Sequence, residues 1–594
     1  MIGLVLTPPT CMFLVLTEVM WRSGYPSILS LMYHVVFVLF WLVLGNLALA
    51  RLKPAWALSA SELLVVYTML SVASALCGHD MLQVLVPTLS HLHWCHDIEG
   101  RYYELLPHVP AWLVVEDHTA LVSAYGGQES MYAWANLGPW LGPLGWWFCF
   151  VMALCAVMWG LCLLFRKQWT EHEKLSYPVI RVPLTLAREP LSLLRNRVFW
   201  LAFGMAFAVD LLNGLHVLFP TFPHIPLVQI VDLRNLFAER PWRDMGGAPV
   251  SFYFFAIGMC FFMPLDLAFS CWFFWICLKL QRVLASHMGM HGMPGFPFIE
   301  EQAAGAYYAI ALTSLWFARH HLIRLARILL GRPGGAGGRA EPGEILECRV
   351  AALLLSGGGA FLVYFCVRAG MDFGVVALFF ALYFLMAIGI TRIRAELGPP
   401  TVDTYGMGAH LQSTKLLGAG RMAGANPVNL VMFGFLSAIA RTSRTHPMPH
   451  GLEGFRIAER LQLSTMKYFA AMWVAIVAGT ASAFWAMLFV YNKYGISAEV
   501  MGIPYWLGEE TWNRVNVWMT APERWSLAPT YAVLVGMLVA FGLAMLRGNL
   551  PWWPFLPAGY AISGGPGASM DVLWASVFVA WLVKVLLLKY GGAR

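Results

Sequence analysis

The chain has 594 residues, of which 59% are hydrophobic and 12% are charged, and its formal net charge is +7. A soluble domain carries about 25% charged residues, and a folded surface needs that charge to stay in solution. The composition therefore excludes a water-soluble fold and predicts an integral membrane protein whose main partner is the lipid bilayer. The small positive charge suits the cytosolic loops of such a protein, so we infer no nucleic-acid partner.

Apolar stretches that could cross a bilayer recur along the whole chain. A hydrocarbon core about 30 Å thick needs about 20 apolar residues of helix. Nine stretches meet this requirement clearly: 29–50, 60–78, 139–165, 198–219, 350–368, 373–391, 467–491, 526–546 and 571–590. Five further candidates are less regular: 3–20, 250–284, 300–318, 427–440 and 552–563. The sequence therefore predicts an all-α, polytopic transmembrane helical bundle with roughly 10 to 14 spans, some of them broken or re-entrant.

The charged residues between the spans predict the orientation of the chain. Arg and Lys dominate the 166–197 and 319–349 loops, whereas the 92–138 loop is acidic. Because basic loops remain in the cytosol, we expect the first two loops to be cytosolic and the third to be exterior. We divide the chain into three parts: an N-terminal transmembrane region, 1–330; a Gly-rich cytosolic linker, 331–343; and a C-terminal transmembrane region, 344–594.

Ionisable residues inside apolar stretches are the first functional candidates. A charged side chain at the centre of a membrane helix costs at least about 2.5 kcal/mol, so it normally faces protein or a water-filled cavity. Asp210, with Asn213 three residues later, and Asp266, which follows Pro264 in the 250–284 stretch, are such positions. They predict a site for a proton, a cation or a substrate. The alternative is a hydrogen bond between helices or an interfacial end position.

Helix breaks at membrane depth are the second group of candidates. Irregular backbone survives there only where it lines a cavity or is buried in protein, and broken transporter helices bind substrates and ions. The sequences GPPTVD at 398–403 and GANPVN at 424–429 read as such breaks. Asp403, Asn426 and Asn429 are therefore candidate ligands for a substrate or ion. The alternative is an ordinary turn with helix-capping Asn or Asp.

Signatures of common cofactors are weak or absent in the sequence. His91, His93 and His96 lie within six residues of one another and are weak candidates for a metal site, but their spacing matches no recognised site. The segment could equally be an aromatic-rich interfacial one. The sequence contains no GxxxxGK[ST] phosphate loop, no HExxH and no GxSxG. We therefore predict no cofactor and no metal, and favour a carrier, channel or scaffold over a familiar enzyme.

Three stretches resemble elements of known membrane proteins. The sequence EKLSYP at 173–178 resembles the E-K-L-x-[FY]-P element of oligopeptide-transporter-like (OPT) proteins. The sequence RIRAELGPP at 392–400 resembles the R-x-R-x-E-x-G-x-P element of an uncharacterised bacterial polytopic family, and the 574–592 segment resembles the C-terminal span of that family. The bacterial family is itself similar to OPT carriers. The resemblance implies an OPT-like fold in the bacterial cytoplasmic (inner) membrane and a secondary carrier of peptides or metal chelates.

The second of these elements contributes one more candidate residue. Glu396 lies one helical turn after Arg392, so the two side chains can form an ion pair at the cytosolic end of a span. Glu396 is therefore a candidate for substrate or ion binding. The alternative is that the pair only anchors a loop to the membrane surface.

These observations favour a secondary membrane transporter that takes up or exports a peptide, a metal chelate or a similar small solute with a coupling ion. The alternative is a membrane-embedded enzyme or an assembly scaffold in cell-envelope polysaccharide or lipid synthesis. In the enzyme, the exterior loops would form the site, and Glu104, Asp117 and Glu509 would be its general bases. Either protein could be a homo-oligomer or a subunit of an envelope complex.

Overall fold

The structure, a computed structural model, describes residues 1–22, 24–330, 342–498, 501–565 and 570–591. Most of the predicted linker, and therefore the proposed division of the chain at that point, lies outside these ranges. Among the described residues, eleven helical segments are long and apolar enough to cross a membrane: Ile2–Met20, Tyr33–Leu52, Pro54–Glu99, Trp134–His172, Arg197–Leu218, Leu265–His287, Gly343–Arg368, Phe373–Leu397, Thr465–Tyr494, Ala528–Asn549 and Met570–Tyr590. The predicted all-α polytopic fold is confirmed.

Almost all regular structure in the described residues is α-helical. The helices, numbered in chain order, are α1 (Ile2–Val15), α2 (Tyr33–Leu52), α3 (Ala60–Cys77), α4 (Leu82–Glu99), α5 (His118–Gly126), α6 (Trp134–Lys167), α7 (Arg181–Arg188), α8 (Pro190–Arg195), α9 (Arg197–Leu218), α10 (Phe254–Phe262), α11 (Leu265–His287), α12 (Ile299–Leu329), α13 (Pro342–Arg368), α14 (Phe373–Leu397), α15 (Ala409–Leu417), α16 (Ala419–Ala425), α17 (Val428–Ala440), α18 (Pro447–Arg460), α19 (Thr465–Tyr494), α20 (Gly502–Thr520), α21 (Ala528–Asn549), α22 (Pro557–Ser563) and α23 (Met570–Tyr590). Two short antiparallel strands, β1 (Val231–Asp232) and β2 (Pro249–Val250), pair Val231 with Val250 and Asp232 with Pro249.

All nine clear apolar stretches overlap candidate spans over most of their length, but the less regular ones differ. The 3–20 stretch is a span, whereas 427–440 is the 13-residue helix α17 and 552–563 contains only the seven-residue α22. The 300–318 stretch lies in α12, which is 31 residues long but does not meet the hydropathy of a span. These three stretches, 300–318, 427–440 and 552–563, are therefore not confirmed as crossings. The short apolar runs do form helices, but a helix must also be long and apolar enough to cross the membrane.

The 250–284 stretch is broken near Pro264, in agreement with the prediction that some spans are broken or re-entrant. Helix α10 ends at Phe262 and α11 begins at Leu265, because Pro264 cannot donate the hydrogen bond that would continue the helix. Both helices pack against α23. The Lys584 ammonium donates a 2.7 Å hydrogen bond to the carbonyl of Met263, at the turn between them.

The helices build two separate hydrophobic cores. The first core is formed mainly by α1–α4, α6 and α17–α20, and the second by α10, α11 and α21–α23. Helices α12 and α14 contribute to both cores and join them. Their backbones meet closely at Gly389, where an added Cβ would lie 2.7 Å from the carbonyl oxygen of Tyr307.

The two basic loops come together at one end of the bundle. Arg166 pairs with Glu347 at 2.6 Å, and Arg324 pairs with Glu344 at 2.9 Å. The structure thus agrees with the expectation that both loops lie on one side of the membrane. That this side is the cytosol stays a prediction from the positive charge.

Candidate functional site

Three interrupted helices converge where the two cores meet, and the first interruption separates α3 from α4. It covers residues 78–81 in the middle of one 46-residue candidate span. The side chain of Asp80 is completely buried there. The first turn of a helix exposes unpaired N–H groups and a partial positive charge, so a carboxylate two residues before Leu82 is favourably placed.

The second interruption is the extended segment 398–408 between α14 and α15, where the sequence predicted irregular backbone. Asp403 is buried in it and accepts a 2.9 Å hydrogen bond from the N–H of Tyr405. The segment ends against the last turn of α17. At Gly408 an added Cβ would lie 1.9 Å from the carbonyl oxygen of Ala440, so this approach requires glycine.

The third interruption, residues 441–446, separates α17 from α18 and carries two arginines. Arg441 and Arg444 follow directly on the C-terminal end of α17, where the partial negative charge of the helix favours cations. Helix α18 then begins at Pro447, a residue suited to the first turn of a helix.

Charged side chains from the three interruptions form one buried network. Arg444 binds Asp80 with two 2.7 Å hydrogen bonds and lies 3.7 Å from the carboxylate of Asp403. Arg441 lies 3.8 Å from Asp80 and binds Glu510 of α20 at 2.9 Å. We call these five residues, Asp80, Asp403, Arg441, Arg444 and Glu510, the central charge network.

The network places opposite charges on side chains that are almost completely buried. Burial raises the pKa of Asp403, and the nearby guanidinium groups of Arg444 and Arg441 act against this rise. Removing one partner of a buried ion pair costs several times more than removing both, because a single buried charge stays uncompensated. The three interrupted helices are therefore held together by interactions that are strong only as a complete set.

A second buried ion pair lies beside the network. Arg394 of α14 binds Glu453 of α18 at 2.7 and 2.9 Å, and also donates to the carbonyl of Ser30 at 2.6 Å. Glu18 is also fully buried, near the first interruption. It accepts hydrogen bonds from the N–H of Ser27 at 2.8 Å and from the side chain of Gln83 at 2.9 Å.

A cavity of about 1040 Å³ adjoins the network. It lies between the end of α11, the start of α12, α15 and the connection from α20 to α21. Arg514 lines the cavity and binds Glu510 of the network at 2.7 Å, and Tyr405 donates a 2.9 Å hydrogen bond to the same Glu510. Glu510 therefore connects the cavity wall to the buried charges.

Of the seven candidate binding residues, the structure brings Asp403 into the network. Asn426 and Asn429 instead bind the carboxylate of Asp372 at 3.1 and 2.7 Å, near the start of α14. Glu396 pairs with Arg392 at 2.9 Å, as its spacing predicted. Their binding roles stay predictions.

Asp210, Asn213 and Asp266 lie away from the network. Asp210 and Asn213 are on α9, in which no residue is buried, and Asn213 exchanges two hydrogen bonds with the backbone of Ile225. Asp266 is in the first turn of α11 and pairs with Arg547 at 3.1 Å, with side chains 45% and 39% exposed. A role for them in binding also stays a prediction.

The three histidines of the weak metal candidate face different partners. His91 is 3.3 Å from the sulfur of Cys95, His93 is 3.7 Å from Glu116, and His96 packs against a tyrosine ring. Among the described residues, no group of three or more His, Cys, Asp or Glu side chains could hold a metal ion.

Two of the three acidic residues proposed for an enzyme have structural partners, and the third is exposed. Asp117 caps α5 by accepting from the N–H of Ala120, and Glu509 pairs with Arg101 at 3.3 Å. Glu104 is exposed. Nothing in these contacts favours catalysis.

Sequence reasoning missed most of the central charge network. Asp80 lies just beyond the predicted 60–78 stretch, and Arg441 and Arg444 lie just beyond the 427–440 stretch, so none of them counted as a charge inside a span. The usable signal was a charged residue within a few positions of the end of an apolar stretch, as at Asp80, Arg441 and Arg444.

The fold and its eleven candidate spans define a multi-pass helical membrane protein. Residues 1–594 match the family described as a family of unknown function (DUF6785), and the chain belongs to that family. No curated protein matches the chain. An uncharacterised polytopic family was what the sequence elements predicted, whereas the similarity to OPT carriers stays a prediction.

Proposed function

We propose that the protein is a secondary carrier that moves a small solute through the helical bundle, driven by an ion gradient. One observation carries the proposal: three interrupted helices meet at a buried charge network that adjoins a cavity of about 1040 Å³. Interrupted helices supply solute and ion sites in carriers, and buried ion pairs can exchange partners when the helices move. The similarity to OPT carriers and the location in the bacterial inner membrane belong to the same proposal.

The test is solute-dependent proton flux in proteoliposomes. Purified protein is reconstituted with a pH-sensitive dye inside, and small anionic, cationic and neutral solutes are added with and without an imposed proton gradient. We expect flux with a member of this panel, loss of flux in Arg441→Gln, and full flux in Arg460→Gln, an exposed arginine on α18. Equal flux in both variants, or no flux with any solute, contradicts the proposal.

A further inference from the structure

Charged side chains of four helices meet in the cavity beside the central charge network. Lys415 of α15 pairs with Glu301 of α12, and Arg514 of α20 pairs with Glu510. Two further residues that line the cavity, Glu300 and Arg282, differ from these ion-paired residues. Within the described part of the chain, Glu300 accepts no hydrogen bond and Arg282 makes no ion pair.

Glu300 is held at the inner edge of the cavity, against the second helix interruption. Its carboxylate lies so close to Gly406 that a Cβ on that glycine would be 2.1 Å from Oε2. Burial raises the pKa of Glu300, and the neighbouring Glu301 adds to the rise. Cationic groups from three packed helices oppose it: Lys415 of α15, Arg282 of α11 and Arg514 of α20.

The cavity is lined by five basic residues (Arg240, Arg282, Lys415, Arg514 and Arg524) and four acidic ones (Asp244, Glu300, Glu301 and Glu523). With Glu510, which binds Arg514, these charges balance only while Glu300 is ionised. Glu300 and Glu301 then offset Arg282 and Lys415, and Arg514 is offset by Glu510. A proton on Glu300 leaves one uncompensated positive charge, that of Arg282. An uncompensated charge in a partly buried site is unfavourable, so the protonated cavity should attract an anion.

We propose that the cavity binds the anionic group of a solute at Arg282 together with one proton on Glu300. The inference rests on the proposed carrier function and specifies its coupling ion and the charge of its solute. Proton and anion each increase the affinity for the other, by the same factor. The cavity with proton and anion bound has the same net charge as the empty cavity, because the two added charges cancel. This cancellation favours movement of the anion through an apolar bundle.

The test is equilibrium binding to the full chain in detergent, without transport. Phenylacetate is the anionic probe, with neutral phenylacetamide and cationic phenethylamine as matched controls. Titration calorimetry in two buffers with different ionisation enthalpies counts the protons taken up. We expect one proton per phenylacetate, and a Kd that rises about tenfold per pH unit above the pKa of Glu300.

Variants separate the two parts of the site. Glu300→Gln resembles the protonated carboxyl, so it should bind phenylacetate with a Kd that no longer depends on pH. Arg282→Gln should weaken phenylacetate binding about tenfold or more, as loss of a charge-assisted contact does. Glu129→Gln, at an exposed position outside the cavity, should behave like the unaltered protein.

Several outcomes overturn the inference: binding of phenylacetate without proton uptake, an unchanged pH dependence in Glu300→Gln, preferential binding of phenethylamine, or no saturable phenylacetate binding at any pH. Their meaning is separate from that of the flux assay. Solute flux without proton-linked anion binding contradicts this inference alone. Proton-linked anion binding without flux contradicts the carrier alone.

Discussion

Arg444 binds Asp80 through two parallel 2.7 Å hydrogen bonds, from Nε to Oδ2 and from Nη2 to Oδ1, although the two residues are 364 positions apart in the chain. The carboxylate is fully buried and the arginine is 10% exposed. The contact joins the interruption between α3 and α4 to the one between α17 and α18. Because both ends of the contact lie in broken helices, it holds two interruptions together.

Breaking this pair should destabilise the protein more than removing it. Asp80→Asn leaves Arg444 without its main partner and should cost about 3–5 kcal/mol of unfolding free energy. The double variant Asp80→Asn/Arg444→Gln should recover part of that loss. Thermal unfolding in detergent, followed by tryptophan fluorescence, measures both.

Asp266→Asn is the matched control for the buried pair. Asp266 and its partner Arg547 are about two-fifths exposed. The loss of unfolding free energy in Asp266→Asn should therefore stay below about 1 kcal/mol. Equal shifts for Asp80→Asn and Asp266→Asn would show that burial does not determine the strength of these pairs.

The close approach at Gly408 gives a second stability prediction. The φ of this residue is −55°, which any L-residue adopts, so only the contact with Ala440 opposes a side chain. Gly408→Ala should therefore displace the second interruption and cost about 1–3 kcal/mol, as overpacking does. Gly424→Ala has open space around its Cβ and should not destabilise. A stable Gly408→Ala variant with intact flux would contradict the packing described here.

A third prediction compares two carboxylates in the flux assay. Asp403→Asn removes a buried charge beside Arg444, so it should abolish gradient-driven flux per amount of folded protein, which is measured separately because the change can also destabilise the fold. Asp266→Asn should keep most of the flux, because its pair with Arg547 lies outside the network. Loss of flux in Asp266→Asn with normal flux in Asp403→Asn would move the coupling site to the break at Pro264.

The fourth prediction concerns orientation. Cys149 and Cys277, exposed in apolar helices, are first replaced by alanine, since the other nine cysteines are buried. In cells, a cysteine at Tyr103, which is 64% exposed, should react with an impermeant maleimide added outside. A cysteine at Leu191, which is 45% exposed, should react only after the membrane is opened. The reverse pattern would invert the predicted orientation.

Composition and apolar run length were sufficient for the fold class, because each span must bury its own backbone hydrogen bonds within a fixed thickness of hydrocarbon. That constraint is local, so nine clear stretches appear as spans and Pro264 appears as a helix break. The spacing of Arg392 and Glu396 predicted their ion pair for the same reason.

The site depended on the tertiary structure, because its ion pairs join residues distant in the chain. Nothing near Asp80 in sequence indicates that its partner is Arg444, and nothing near Asp210 indicates that α9 carries no buried residue. A charged residue inside an apolar run costs free energy when it is buried. Whether an ion pair offsets that cost depends on which helix packs beside the residue. The sequence by itself determined a helical membrane protein with interrupted spans. Packing alone decided which interruptions meet, since long-range ion pairs leave no periodic pattern in the chain.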